Sequence, residues 1–190
     1  MERTCIEDEV FSKIDFVQNL LPKNDYENCT FLNCDFSNTD LSGIIFLDCT
    51  FTSCNLSMAN LTKTAFKDIV FDDCKMLGLD FGLCSEFLFL VGFKNCILNF
   101  SSFYKRKLKK SKFVNTSLQE VDFTEADLSG AVLDDCDLAG ATFDNTVLEK
   151  ADLRTSYHYS IDPDLNRIKK AKFSLQGVVG LLHKFEIVVE

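Results

Sequence analysis

The sequence predicts an all-β solenoid, a stack of short-sided coils, and not a globule built around one central core. Two observations carry this. A large apolar residue returns at every fifth position, and a small residue returns two positions before it. Helices repeat their apolar residues at spacings of three and four, and strands at two. A strict five fits neither. Each five-residue unit turns one large and one small side chain inward and three mostly polar ones outward, as a stacked array requires.

The elements follow in chain order. From Phe11 the large positions, here called centres, run Phe16, Leu21, Tyr26, Phe31, Phe36, Leu41, Phe46 and on to Met76 and Phe81. The phase then slips by two residues and resumes at Phe93, Leu98, Phe103, Leu108 and Phe113, ending at Leu153. Cys29, Cys34, Cys49, Cys54, Cys74, Cys96 and Cys136 occupy the small inward position, alternating with Thr, Ser and Ala. Centres twenty apart are often identical, as in Phe103, Phe123 and Phe143, which suggests four units per turn.

The units CTFLN, CDFSN, TDLSG, ADLSG, CDLAG and ADLRT resemble the A(D/N)LXX unit of the pentapeptide-repeat family. The resemblance covers roughly residues 9 to 155. It implies a right-handed quadrilateral β-helix with four pentapeptides per coil. With coils about 4.8 Å apart, about seven coils give a rod on the order of 35 Å.

Three segments are expected. Residues 1–23 read as an irregular first coil or cap. Residues 24–155 form the β-helix, with a phase break at 82–92. Residues 156–190 read as a C-terminal cap in which the repeat has stopped. Asp162 and Pro163 are placed to start a helix carrying Ile168 and Ala171, and Ser174 to cap a second short helix. Phe185 to Glu190 has a strand pattern. Many quinolone-resistance members of the family dimerise through such a tail. By resemblance, Val178, Leu181, Leu182, Phe185, Ile187 and Val189 are the expected homodimer interface.

Composition narrows the function. The 190 residues carry 20 basic and 29 acidic side chains, 19 Phe, no Trp, 9 Cys and only 2 His. No apolar run is long enough to span a membrane and the N-terminus lacks a secretory pattern, so the expected location is cytoplasmic. There is no Cys-x-x-Cys pair, no Gly-rich phosphate loop and no nucleophile elbow, and both His lie in the tail. No enzyme activity, metal or cofactor is expected, and the inward cysteines read as buried small hydrophobes.

Charge is segregated along the chain. Residues 94–112 contain 7 bases and no acids, and residues 113–153 contain 10 acids and 1 base. Tail dimerisation would bring two such acidic zones together, about −18 over roughly 20 Å, where duplex DNA carries about 12 charges. The resemblance to Qnr- and MfpA-type proteins gives this a meaning. It implies a DNA mimic that binds a type II topoisomerase, DNA gyrase, and protects it from inhibitors. The expected contacts are Glu120, Asp122, Glu125, Asp127, Asp134, Asp135, Asp137, Asp144 and Asp152. Direct nucleic-acid binding is not expected. The alternative is a scaffold for an unrelated partner, using outward-pointing Phe87 and Phe89 around Leu88 together with Lys105, Arg106 and Lys107 of the basic band.

Overall fold

The structure, a computed structural model, describes residues 4–87 and 89–189. Leu88 and Glu190 lie outside the described residues. The strands are three or four residues long, because each flat side of a coil admits no more. They are β1 (Cys5–Glu7), β2 (Val10–Ser12), β3 (Asp25–Glu27), β4 (Thr30–Leu32), β5 (Ile45–Leu47) and β6 (Thr50–Thr52). They continue with β7 (Ala65–Lys67), β8 (Ile69–Asp72), β9 (Val91–Lys94), β10 (Lys112–Val114) and β11 (Val132–Asp134).

All pairing is parallel. One sheet runs β1-β3-β5-β7 and the other β2-β4-β6-β8-β9-β10-β11. The register is twenty, Phe31 opposite Phe51 and Phe46 opposite Phe66. Isolated bridges complete the other two sides, for example Asp35 to Asn55 and Asp40 to Asn60. The four sides are numbered here by the centres they carry in one coil: face 1 Tyr26, face 2 Phe31, face 3 Phe36 and face 4 Leu41. Face 2 holds nine rungs among the described residues, the seven strands plus Asp152 and Lys172. Eight steps of about 4.8 Å give a rod near 38 Å.

The core is a set of ring columns. On face 2 Phe11, Phe31 and Phe51 stack with centroids 4.9 and 4.7 Å apart, and on face 4 Phe81 lies 4.5 Å from Phe103. Neighbouring faces meet edge-on, as Phe46 does with Phe51 at 75°. Offset stacks along the axis and T-shaped contacts across it are both favoured by the ring quadrupole. Corners fall two residues after most centres in the left-handed region, with Asn33 at φ 51° and Gly130 at 67°. Short polar residues and glycine tolerate that region best, which explains their frequency there.

The inward cysteines do more than fill space. Each buried column thiol lies within donor distance of the carbonyl of a centre one coil back: Cys54 Sγ to Phe31 O is 3.3 Å and Cys74 Sγ to Phe51 O is 3.3 Å. Where the turn is tighter, the backbone closes it: the Ala126 N–H donates to the Phe123 carbonyl at 3.0 Å. Alanine is then sufficient. Cysteine or threonine at that position adds a side-chain donor to a carbonyl one coil back, as the Thr146 hydroxyl does to Phe123 at 2.8 Å.

Two expectations are corrected. The repeat does not stop after Leu153. Tyr157, Arg167 and Lys172 bridge Asp137, Val147 and Asp152, so residues 157–173 form further coil in place of a helix. Asp162 caps a turn instead, accepting the Asp164 N–H at 2.8 Å. Beyond it the chain forms two short 3-10 turns, Gly177–Leu181 and His183–Phe185, and among the described residues no terminal strand follows. The Ser174 hydroxyl accepts the Gly177 N–H at 2.9 Å, in the bend that leads into the first of these, whose own cap position is Gln176. The turn lies over Tyr159, whose carbonyl would be 2.3 Å from a Cβ at position 180; only glycine fits there.

Candidate partner-binding surface

The phase break is confined to one side of one coil. Across it the register becomes twenty-two, Ile69 opposite Val91 and Asp80 opposite Ser102. The extra residues bulge from face 1 over β7: the Ser85 N–H reaches the Thr64 carbonyl and the Leu90 N–H the Phe66 carbonyl. This ends the first sheet at β7. Bridges among Lys107, Asp127, Val147 and Arg167 resume face 1 beyond the bulge.

Arg106 holds the bulge. It sits at the small inward position, two before Leu108, and is 7% exposed. Its guanidinium donates to the carbonyls of Gly82, Cys84 and Ser85, the last two at 2.7 and 3.3 Å. The Phe89 ring lies 5.6 Å from it and packs edge-on against Phe81. Two expectations therefore change. Arg106 is a buried strut, not a surface cation, and Phe89 is half-buried, not outward. Phe87 alone of the two rings is open, at 74% exposure. Even so, Phe89, Lys105, Arg106 and Lys107, with Glu86, line one cavity of about 270 Å³. Lys105 is pinned there by Glu125 at 3.5 Å and by the Tyr104 ring.

The nine acidic residues expected to form one zone are distributed around the rod. Bridge partners put Asp122 on face 4, Asp137 on face 3, Asp127 on face 1 and Asp134 and Asp152 on face 2, and Asp144, next to the centre Phe143, also falls on face 4. Glu120, Glu125 and Asp135 are corner residues with φ near 55°. Several are already bound. Lys109 lies 3.2 Å from Asp127, and Arg154 and Lys172 hold Asp152. Those hydrogen bonds, Arg154 foremost, push the Asp152 carboxyl well below its usual range. For Asp137 burial raises the pKa, but bonds from Gln119 and His158 outweigh it and the net shift is downward.

Many of these carboxylates also serve the coil. Asp122, Asp127 and Asp137 accept the N–H two residues on, at 2.9, 3.0 and 3.2 Å, closing an Asx turn. By the phase of the repeat, face 4 carries Asp122, Asp144, Asp162 and Asp164, flanked by the corners Glu120 and Glu125, and Lys184 engages both Asp162 and Asp164.

In the tail, Val178, Phe185, Ile187 and Val189 are exposed, while Leu181 and Leu182 are half-buried. Leu175 and Val188, at 85% and 86% exposure, are apolar surface that the sequence reading missed. In the first coil, Cys5, Glu7 and Glu27 bring ligand-type atoms within 4.8 Å of one another on an exposed edge. No helix among the described residues is long and apolar enough to cross a membrane.

Comparison with known proteins agrees with this architecture. A trypsin-treated variant of QnrB1, a plasmid-mediated fluoroquinolone resistance protein, superposes with a TM-score of 0.65 at 23% identity, over 97% of this chain and 99% of that one. A pentapeptide-repeat protein of the Arabidopsis thaliana thylakoid lumen matches at 17% identity and a TM-score of 0.39, over 78% of this chain and 88% of that one. No curated protein sequence matches the chain. The family model described as a pentapeptide repeat region matches residues 24–85 and 88–157. With most of its length so matched, and with the coil geometry of the repeat, the chain belongs to the pentapeptide-repeat family.

Proposed function

We propose that the protein is a non-enzymatic DNA mimic that binds a type II topoisomerase, DNA gyrase, and modulates it or protects it from inhibitors. The observation that carries this reading is face 4: carboxylates on both sides of its centres, Asp122 and Asp162 before and Asp144 and Asp164 after, on a rod whose rungs are fixed by parallel hydrogen bonds. A rigid array of negative charge offers a basic DNA-binding groove the long-range attraction that phosphates do, without the cost of ordering a flexible chain. Family membership and the fold shared with a fluoroquinolone resistance protein support it. The exposed apolar residues of the tail support end-to-end pairing, which would double the length of the rod.

The test is gyrase supercoiling with and without ciprofloxacin, titrating the protein at two salt concentrations. Protection or inhibition that weakens steeply with salt is expected. Asp122→Lys with Asp144→Lys should lower potency at least about tenfold, while Asp134→Lys with Asp135→Lys on face 2 should change it less. Equal loss from both pairs would reject face 4 as the contact. A second reading, a scaffold for another partner through residues 82–92 and the basic band, is favoured by one observation, the exposure of Phe87.

A further inference from the structure

Face 1 carries a pattern separate from the acidic face 4. At its corner column, two residues after each centre, the first four rungs read Asp8, Asn28, Asp48 and Asp68. Then comes the bulge. The next four read Lys110, Gly130, Lys150 and Lys170. The column is acidic on one side of the bulge and basic on the other, with the neutral rungs interleaved. The rest of the face follows at its ends: Glu7 and Glu27 lie at one, Arg167 and Lys169 at the other. At the middle stands apolar surface, Phe87 at 74% exposure with Leu83 and Leu90 at 51% and 45%.

We propose that face 1 is a self-complementary interface for a second copy of this chain, packed side by side and antiparallel about a two-fold axis through the bulge. Such an axis, lying in the interface across the rod, brings each corner column against its own reverse. Rung by rung, Asp68 meets Lys110 of the other copy, Asp48 meets Gly130, Asn28 meets Lys150, and Asp8 meets Lys170. No like charges meet in that column. Glu7 meets Lys169, and the crowded Cys5, Glu7 and Glu27 edge gains cations. Two flanking pairs are like-signed, Lys67 with Lys109 and Glu27 with Glu149. Lys109 and Glu149 are already engaged within the chain, by Asp127 and Arg167. The bulge supplies Phe87, Leu83 and Leu90 as apolar contacts at the axis, beside the exposed Glu86, which shares a cavity with Lys105 and Lys107. This interface is independent of the topoisomerase reading and distinct from the tail.

The corner residues make a clean test. Lys and Asp both occupy this corner with φ between 52° and 61°, so exchanging them leaves the coil intact. The mass is measured by light scattering and sedimentation in a Phe185→Glu, Val188→Glu background, which removes end pairing. A dimer is expected at low salt and a monomer at about 0.5 M salt, where charges are screened beyond a few ångströms. Asp8→Lys with Asp68→Lys should give a monomer, as should Lys110→Asp with Lys170→Asp. Mixing those two variants should restore the dimer, because every exchanged rung then meets the opposite charge, while Asp48 still meets Gly130 and Lys150 still meets Asn28. Phe87→Cys, in Cys5→Ser protein, should cross-link to itself with a short bis-maleimide. A monomer at every concentration overturns the proposal. So does a dimer that ignores both exchanges, and so does a monomer that binds duplex DNA through Lys110 and Lys170.

Discussion

Arg106→Ala should free the bulge while leaving the rod intact. The same inward position one coil later is Ala126, fully buried in the same geometry, so the coil accepts alanine there. Any loss then belongs to the bulge. A hydrogen bond to a charged group contributes about 1.5–3 kcal/mol. Of the three carbonyls, that of Cys84 belongs to a buried residue, while Gly82 and Ser85 are half-buried and regain water. The guanidinium over Phe89 adds roughly 0.5–1 kcal/mol, and relief of a buried charge subtracts from the total. The expected loss is about 3 kcal/mol, or roughly 6–12 °C in melting temperature for a chain of this size. The deciding assay is local: limited chymotrypsin digestion should cut at Phe87 and Phe89 much faster than in the parent protein. Arg106→Lys keeps the charge but not the fork, and should recover less than half. A loss under about 1 kcal/mol with unchanged cleavage would refute the strut.

The thiols give a second expectation. Cys5 is exposed and the other eight are buried, so a native-state titration with Ellman's reagent should show one fast thiol and unfolded protein nine. Fast reaction of a second thiol would contradict the stacked core. Burial pushes Cys49, Cys84 and Cys136 up to about 12 from an ordinary 9.0, so their contribution is whole below pH 9 and is lost as pH rises toward 12. Urea midpoints under reducing conditions should fall above pH 9, and Cys136→Ser should flatten that slope. In the cap, the Tyr159 hydroxyl is buried without a partner, so Tyr159→Phe should leave stability unchanged or raise it by about 1 kcal/mol. Gly180→Ala should instead release the tail to proteolysis; a wild-type digest would argue against the close contact with Tyr159.

The spacing of five, the coil of twenty and the two-residue slip were all legible, because each follows from which side chains must face inward. The continuation beyond Leu153 was not. His158 and Pro163 stand at two centres and hide the phase that returns at Ile168 and Phe173. Asp162-Pro163 has the local chemistry of a helix start, yet an Asx turn uses the same side chain on the same amide, as Asp122 and Asp127 do throughout the rod. Arg106 was hidden among lysines of a basic run. Its place two before Leu108 was the available signal, since that position is buried in the neighbouring coils, as at Cys96, Ser101, Ser111 and Thr116. The acidic zone looked contiguous because it was counted along the chain. Counted by twenties, the same residues divide among faces, and the split of face 1 emerges.

The parallel ladder also decides how this molecule resists force. Every rung-to-rung hydrogen bond runs along the rod, in line with a pull applied at its two ends. Such bonds open one coil at a time, as a zipper does, and are never loaded together in shear. Each ordinary coil would release twenty residues of slack, about 70 Å of chain. The coil clamped by Arg106 would release twenty-two and hold longest for its length. Tension would thus be read out in nearly equal steps, with one marked interruption at the bulge.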